Sequence, residues 1–466
     1  MSMFFTYGQS TYEFLYQSPL NEISRSLNED EQGNIYFSVE NFQYALIIKL
    51  DHDGSFLDSI SIYNHEGTCN LAELIKIDDD YFVALGNWTI DTVSELWFVK
   101  FNHELQIIDD KKLISNSLKI YNFHHIIRSN GNIVFIAHYQ PGSSPAEYKV
   151  CIYELTPEGD LVRYKFFNQA YSFNIASTII EDSSNFCYKL FSLLPVSYRM
   201  SCNISYIDTS FNVTDSLVLS GGIIRDQNTA KWINDSIYLL TGRSFDPSQD
   251  EFDIGILKMT ANDSLLNAAY FGKTDTVDYT GLYKNLDFIS KGNIFFSGES
   301  NIKQYFQTEP SWIMLNILDS NLNLKNQRFY GGDAFYLVNA ILATQDSGCV
   351  LSCSRYDYLT QNEEFDIYIL KVNQDGLLVS TTENPIINSN ACFIYPNPGN
   401  ETLNINSPID RSQIQLFDLT GRLECEAELS AGTNSIPVSS LPAGIYLYRI
   451  FDHKSQIIQS GKWIKL

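Results

Sequence analysis

Seven histidines and eight cysteines are the side chains here best suited to bind metal or move protons, so their spacing comes first. His124-His125 is the only adjacent histidine pair, set in the run FHHIIRS. Neighbours on a strand point to opposite faces, so the two rings cannot ligate one ion without a bulge. A polar position at a sheet edge or funnel is the simpler expectation. Asp51-His52-Asp53-Gly54 superficially looks like the start of a calcium loop, but Ser55 to Tyr63 supply neither the further acids nor the distal glutamate that such a loop needs. It reads as a hairpin turn. The cysteines at 69, 151, 187, 202, 349, 353, 392 and 425 show no CxxC or zinc spacing. Cys187 and Cys202 could face each other across a hairpin, whereas Cys349 and Cys353 lie too far apart on one extended strand to bond. Free buried thiols are expected. No nucleophile elbow, phosphate loop, dinucleotide fingerprint or HExxH motif occurs. No catalytic residue, metal ligand or cofactor-binding residue is therefore assigned, and no cofactor is expected. Trp88, Trp97, Trp232 and Trp312 could stack sugars, although tryptophan in a strand-rich chain more often fills a core.

The elements that would position such residues are strands. Tyrosine and phenylalanine number 29 and 30, and short apolar runs are punctuated by Gly, Asn and Asp, so the class is all-β. At 466 residues the chain exceeds one ordinary core, which calls for several domains or a repeat array. The net charge of −24 opposes nucleic acid as a partner, and no apolar run is long enough for a transmembrane helix. Met1 to Gln9 (MSMFFTYGQ) lacks the basic and apolar regions of a signal peptide.

A unit of roughly 50 to 60 residues recurs. In seven places a Gly, Asp or Asn precedes an apolar run: at Gly33, Asp80, Gly131, Asn185, Asp235, Gly292 and Gly348. A second apolar segment then closes at Asp51, Asn102, Thr156, Asp208, Thr260, Asp319 and Asn373, with spacings of 51 to 59 residues. Asp-Gly pairs at 53–54 and 375–376 suit the positive φ of hairpin turns. Strand, turn and strand at this period predict the four-stranded blades of a seven-bladed β-propeller over residues 1–383. The unit resembles the degenerate repeats of secreted bacterial β-propellers over about Thr11 to Thr382. FFTYGQSTYEF at Phe4 is similar to the outer-strand segments at Ala268 and Arg328, which suggests that the N-terminus completes the last blade and removes its edge. Leu377 to Thr382 could fill the same place.

Residues 384–392 (NPIINSNAC) carry no charge and break the repeat, so they read as a linker. From Phe393 to Leu466 short strands alternate with turns. Leu403 and Ile405, then Ile414, Leu416 and Leu419, carry a period-2 pattern before Thr420-Gly421. Past Leu441-Pro442-Ala443-Gly444, the residues Ile445, Leu447 and Arg449 alternate against Tyr446, Tyr448 and Ile450. A small Ig-like β-sandwich over 393–466 follows.

This tail resembles the type A C-terminal sorting domain of the type IX secretion system of Bacteroidota. The resemblance rests on Tyr395-Pro396-Asn397-Pro398, on Asp418 to Arg422 with Gly421, and on Gly432 with Asn434. It continues through Leu441, Pro442, Gly444 and Tyr446 to a last strand ending at Lys465 and Leu466. It implies recognition by the type IX secretion machinery and delivery to the cell surface or the medium, with proteolytic removal of the tail near 384–392. For the propeller two classes stay open. One is a surface-displayed binding or adhesion protein for a glycan or surface-protein ligand; the other is an exported glycoside hydrolase or polysaccharide lyase.

Overall fold

The computed structural model describes residues 9–18, 20–40, 44–91, 93–116, 119–140, 149–167, 176–182, 187–196, 199–219, 224, 227–246, 251–272, 276–302, 308–359, 364–378, 392–395, 401–407, 410–418, 420–453 and 457–465. It divides into two compact units, Met1–Phe14 with Leu20–Asn384, and Leu15–Pro19 with Pro385–Leu466. The linker residues 384–391 lie outside the described residues. No described helix is long and apolar enough to cross a membrane.

The first unit is all-β, with seven sheets among the described residues. The first sheet pairs Leu27–Glu29, Ile35–Glu40, Tyr44–Leu50 and Phe56–Tyr63. The second pairs Gly67–Lys76, Tyr81–Ile90, Val93–Asn102 and Ile107–Asn116; the third Lys119–Ile127, Ile133–Gln140, Lys149–Leu155 and Leu161–Phe167. The fourth comprises Ala176–Asp182, Cys187–Val196, Arg199–Asp208 and Val213–Val218, and the fifth Gln227–Asn234, Ile237–Asp246, Glu251–Thr260 and Leu265–Phe271. In the sixth, two short strands, Tyr279–Thr280 and Leu286–Asp287, share the first position before Ile294–Ser300, Trp312–Leu318 and Leu324–Gly331. The seventh joins Phe335–Ala343, Cys349–Tyr356 and Asp366–Val372, and Tyr12–Tyr16 from the start of the chain is its outermost strand. Each sheet holds one copy of the repeat, the Gly-, Asp- or Asn-led segment forming its second strand and the other segment its third.

Every sheet packs on the next, and the first strand of the seventh packs on the first strand of the first, so the array closes into a β-propeller. Gln345 N–H donates to Glu29 and Ser352 Oγ to Ser24 O across this last junction. The closing strand is Tyr12–Tyr16, which overlaps the end of the early segment FFTYGQSTYEF; residues 1–8 lie outside the described residues. Its alternation explains the choice, since Tyr12, Phe14 and Tyr16 are buried. Leu377 and Leu378 form no strand, and 379–382 lie outside the described residues.

The turn after each third strand has one local chemistry. A side-chain oxygen of Asp51, Asn102, Asp208, Asp319 or Asn373 accepts two backbone N–H groups of its own turn, and Thr156 and Thr260 accept one. The fourth turn residue adopts positive φ in all seven: Gly54, Leu105, Gly159, Phe211, Asp263, Leu322 and Gly376. Leucine, phenylalanine and aspartate are strained there by about 1–2 kcal/mol, yet all four non-glycines are buried at the junction with the neighbouring sheet. At Gly54 and Gly159 the preceding sheet fills the space instead, because an added Cβ would meet the Tyr12 ring at 2.3 Å or the Phe98 ring at 2.7 Å. Each turn also receives a donor from the sheet before it. Lys49 and Tyr36 reach His103 O at 2.8 and 2.9 Å, Lys111 reaches Glu158 O at 2.5 Å, and Lys165 reaches Asn212 Oδ1 at 2.5 Å. Lys189 bonds Ala261 O, Lys258 lies 2.7 Å from Ser320 O, Tyr330 2.6 Å from Gly376 O, and Ser10 bonds His52 O to close the circle.

All eight cysteines are free. Cys187 and Cys202 do not face each other, because the register sets Cys187 opposite Asp208 and Leu193 opposite Cys202. Burial raises the thiol pKa at Cys151 and Cys202 to about 12, which makes both poor nucleophiles.

The second unit contains two antiparallel sheets, one of Phe393–Tyr395, Thr402–Ser407 and Gly432–Pro437, the other ordered Leu423–Leu429, Ser412–Phe417, Gly444–Phe451 and Ile457–Lys465. Leu403, Ile405 and Ile436 from the first share one core with Ile414, Leu416, Tyr446, Ile450 and Trp463 from the second. Leu419 lies outside the described residues.

Candidate functional site

The first strands of the seven sheets line the propeller axis, and one contact there joins sheets that are not neighbours. The Arg25 guanidinium, from the first sheet, lies 4.5 Å from the centre of the Tyr283 ring, from the sixth. Both Tyr283 and Lys284 belong to residues 281–285 (GLYKN), the irregular link that splits the first strand of the sixth sheet. This link lies along the seventh sheet: Leu282 N–H donates to Val338 O at 2.7 Å, Tyr283 N–H to Asn339 O at 3.0 Å, and Lys284 O accepts from Ile341 N–H at 2.8 Å. Asn228 of the fifth sheet donates to Gly281 O at 2.5 Å and holds the link from the other side.

Polar side chains around this axis pair within a sheet and between adjacent sheets. Arg25 Nε lies 2.5 Å from Glu40 Oε2, and Asn70 of the second sheet donates to Glu40 Oε1 at 2.5 Å. His125 Nδ1 lies 2.6 Å from Glu73 Oε1. His124 Nδ1 accepts from Ile179 N–H, which leaves its other nitrogen to donate to Thr178 Oγ1 at 3.0 Å. Burial, followed by the charges of His125 and Lys284, pushes the His124 pKa down to about 3, so the ring is neutral at ordinary pH. Burial works to raise the Asp287 pKa, but Lys284 and Lys231 hold it below the usual carboxylate range. The two histidines thus face different neighbouring sheets, as strand alternation requires.

The tryptophans fill the fold. Trp97 is fully buried, with Nε1 donating to Asp110 at 2.9 Å; Trp88 packs edge-on against it and carries Lys112 over its ring at 4.3 Å. Trp232 donates to Glu181 O at 2.9 Å, and Trp312 is half-buried. Asp51 spends its carboxylate on its own turn. Among the described residues no group of three or more His, Cys, Asp or Glu side chains is placed to hold a metal ion.

In the tail, most of the motif residues build structure. Gly421 and Gly432 adopt positive φ. Asn434 clamps its turn, accepting from Ser430 N–H and donating to Ser430 O, Gly432 O and Ile405 O. Tyr446 Oη donates to Pro442 O at 2.8 Å, and its ring lies 5.9 Å from Trp463. Leu441 N–H donates to Val438 O, while Gly444 pairs with a buried Lys465. Tyr395 ends a strand, and Pro396, Asn397 and Pro398 lie outside the described residues.

Residues 393–465 match the family model of the secretion system C-terminal sorting domain. The tail is a secretion sorting domain. It implies interaction with the type IX machinery and export to the cell surface or beyond. No curated protein matches the chain. Among solved structures, Drosophila semaphorin 2a is 8% identical, with a TM-score of 0.47 over 98% of this chain and 99% of that one. The polysaccharide lyase Uly1 is 9% identical, with a TM-score of 0.46 over 78% and 99%. The β-propeller domain of the trilobed protease from Pyrococcus furiosus is 10% identical, with a TM-score of 0.42 over 77% and 98%. Similarity this distant assigns the sorting domain's cargo neither an activity nor a ligand.

The sequence pointed to His124 and His125 but missed Arg25, Glu40, Glu73, Tyr283 and Lys284. The available signal was GLYKN itself, a break between two short strands like the one that separates the Ile23 bridge from Leu27–Glu29 in the first sheet.

Proposed function

We propose that the chain is a seven-bladed propeller binding protein that is carried to the cell surface or released, with an Ig-like sorting domain at 393–466 as its export address. The ligand, a glycan or a surface protein, docks at the axis around Arg25, Tyr283 and the Glu73–His125 pair. One observation carries this reading: the axial carboxylates of Glu40 and Glu73 are already engaged, by Arg25 and Asn70 and by His125. Such pairs set shape and polarity for recognition, whereas acid–base work on a glycosidic bond needs two carboxyl groups facing the bond. A glycan and surface-protein array probed with the full chain tests it. Binding lost in Arg25→Ala but kept in the turn variant His52→Ala supports an axial ligand; equal binding by both would refute it.

The Glu73–His125 contact at 2.6 Å favours a second reading, an exported hydrolase or lyase with His125 as the proton-transfer group oriented by Glu73. Polysaccharide turnover that falls in Glu73→Gln would establish this reading over pure binding.

A further inference from the structure

The sorting domain's own motif is largely consumed by its fold, which leaves the question of what the export machinery touches. The four-stranded sheet answers with its outward face. Gln413, Gln415 and Phe417 alternate outward from Ser412–Phe417, while Ser412, Ile414 and Leu416 are buried. On the adjacent strand Ile445, Leu447 and Arg449 are exposed while Tyr446 and Ile450 are buried. The register sets Phe417 opposite both Leu423 and Leu447, so Leu423, Phe417 and Leu447 form a row across three strands, with Ile445 beside it. Leu423, Leu447 and Ile445 are 45%, 45% and 41% exposed. The other half of this face is polar and satisfied, since Gln413 and Gln415 both donate to Glu426. Arg449 lies 5.6 Å over the Phe417 ring and borders the apolar row.

Leu423 alone would signify little, because an exposed apolar residue also follows the turns of the propeller, at Phe56, Ile107, Leu161 and Leu265. Those positions start outer strands. The tail's row instead crosses the two central strands of its sheet, where exposed aliphatic side chains forgo burial unless a partner covers them.

The geometry points to this apolar row, Leu423, Phe417, Leu447 and Ile445 with Arg449 at its border, as the surface on which the outer-membrane secretion machinery docks. This rests on the tail's being the export address. The partner's complementary surface is apolar, with an acidic group opposite Arg449. Docking by a sheet face needs the sandwich folded, so it reads the motif only through the turns and core that the motif builds.

The test expresses the full chain, behind a secretory leader, in a cell with active type IX secretion. Leu423→Glu with Leu447→Glu should reduce surface display roughly tenfold or more and leave the purified protein's unfolding midpoint unchanged. The matched propeller pair Leu265→Glu with Leu266→Glu should leave display intact. Normal display of the tail variant overturns the docking surface, and if a chain lacking 393–466 is still retained in that experiment, the export address itself stands. A photo-crosslinker at Leu447, against one at exposed Ser430, removes the dependence on folding of the charged variant. Crosslinks to an outer-membrane secretion component from position 447 alone support the proposal; equal yield from both positions, or secretion with no crosslink from 447, refutes it.

Discussion

The propeller and the tail share one turn and use it in opposite ways. Asp418 accepts from Thr420 and Arg422 N–H groups, and Gly421 takes φ of 83°, just as Asp51 and Gly54 do in the first sheet. Around Gly54 the Tyr12 ring occupies the space a side chain would need; a Cβ added at Gly421 would meet nothing within 4 Å. The lesson is that an Asp-x-x-Gly turn is a local solution to hairpin geometry, and its place in the architecture comes from what lands on it. In the propeller the turns are joints between sheets. In the tail the turn is a plain exposed corner.

The largest effect should come from the joint between the fourth and fifth sheets. Lys189 and Asp263 are both buried and pair at 2.8 Å, and Tyr206 and Tyr238 each donate to Asp263 at 2.5 Å. Asp263→Ala leaves a buried ammonium without its partner and should cost about 3–5 kcal/mol in chemical unfolding of the propeller. Adding Lys189→Met should recover part of that loss. Next comes the direct comparison of the two glycines. Gly54→Ala forces both a strained φ and a clash with Tyr12, and should destabilise by about 2–4 kcal/mol, whereas Gly421→Ala meets only the strained φ and should cost about 1 kcal/mol. Equal losses at the two sites would erase the distinction between joint and corner.

A smaller, pH-dependent effect should appear where the ring closes. Glu29 accepts from Gln345 N–H at 2.8 Å between the first and seventh sheets, with Asp30, Asp346 and Lys371 as the charges acting on it. Burial raises its pKa from 4.5 to about 7. Below 4.5 both folded and unfolded chains hold the proton. As pH rises from 4.5 through 7 the unfolded chain releases it first, so stability falls across that window and levels off above it. Glu29→Gln should flatten this part of the unfolding-midpoint profile; an unchanged slope would mean that Glu29 is not its source. The smallest effect belongs to the tail: Tyr446→Phe removes the bond to Pro442 O and should cost about 1 kcal/mol.

Much of the architecture was legible because the repeat is written in punctuation. Asp, Asn or Thr at the end of each third strand marks the turn by side-chain chemistry alone, and the apolar runs around it mark strands. Four of the seven positive-φ positions were hidden, since Leu105, Phe211, Asp263 and Leu322 offset their strain by burial at a junction that no local pattern announces. The N-terminal closure was legible, because the early segment at Phe4–Phe14 overlaps Tyr12–Tyr16, the strand that completes the seventh sheet. The free thiols were legible from the spacing, but whether Cys187 and Cys202 face each other was not: counting across a hairpin needs the turn, and residues 197–198 give no strong turn signal. At the axis, the histidine pair was visible as an adjacent pair. Glu73 reaches His125 from the adjacent second sheet, and Arg25 reaches Tyr283 of the sixth only because the ring closes.

The central claim is that the chain is a propeller cargo with a separate address, and truncation at the tail tests it most directly. In a cell with active type IX secretion, the full chain and a chain lacking 393–466, both behind the same secretory leader, are compared for surface exposure and released protein. The expected result is a truncated propeller that keeps its unfolding midpoint yet stays inside the outer membrane, while the full chain reaches the surface or medium. Surface display of the truncated chain at the full chain's level would contradict the account.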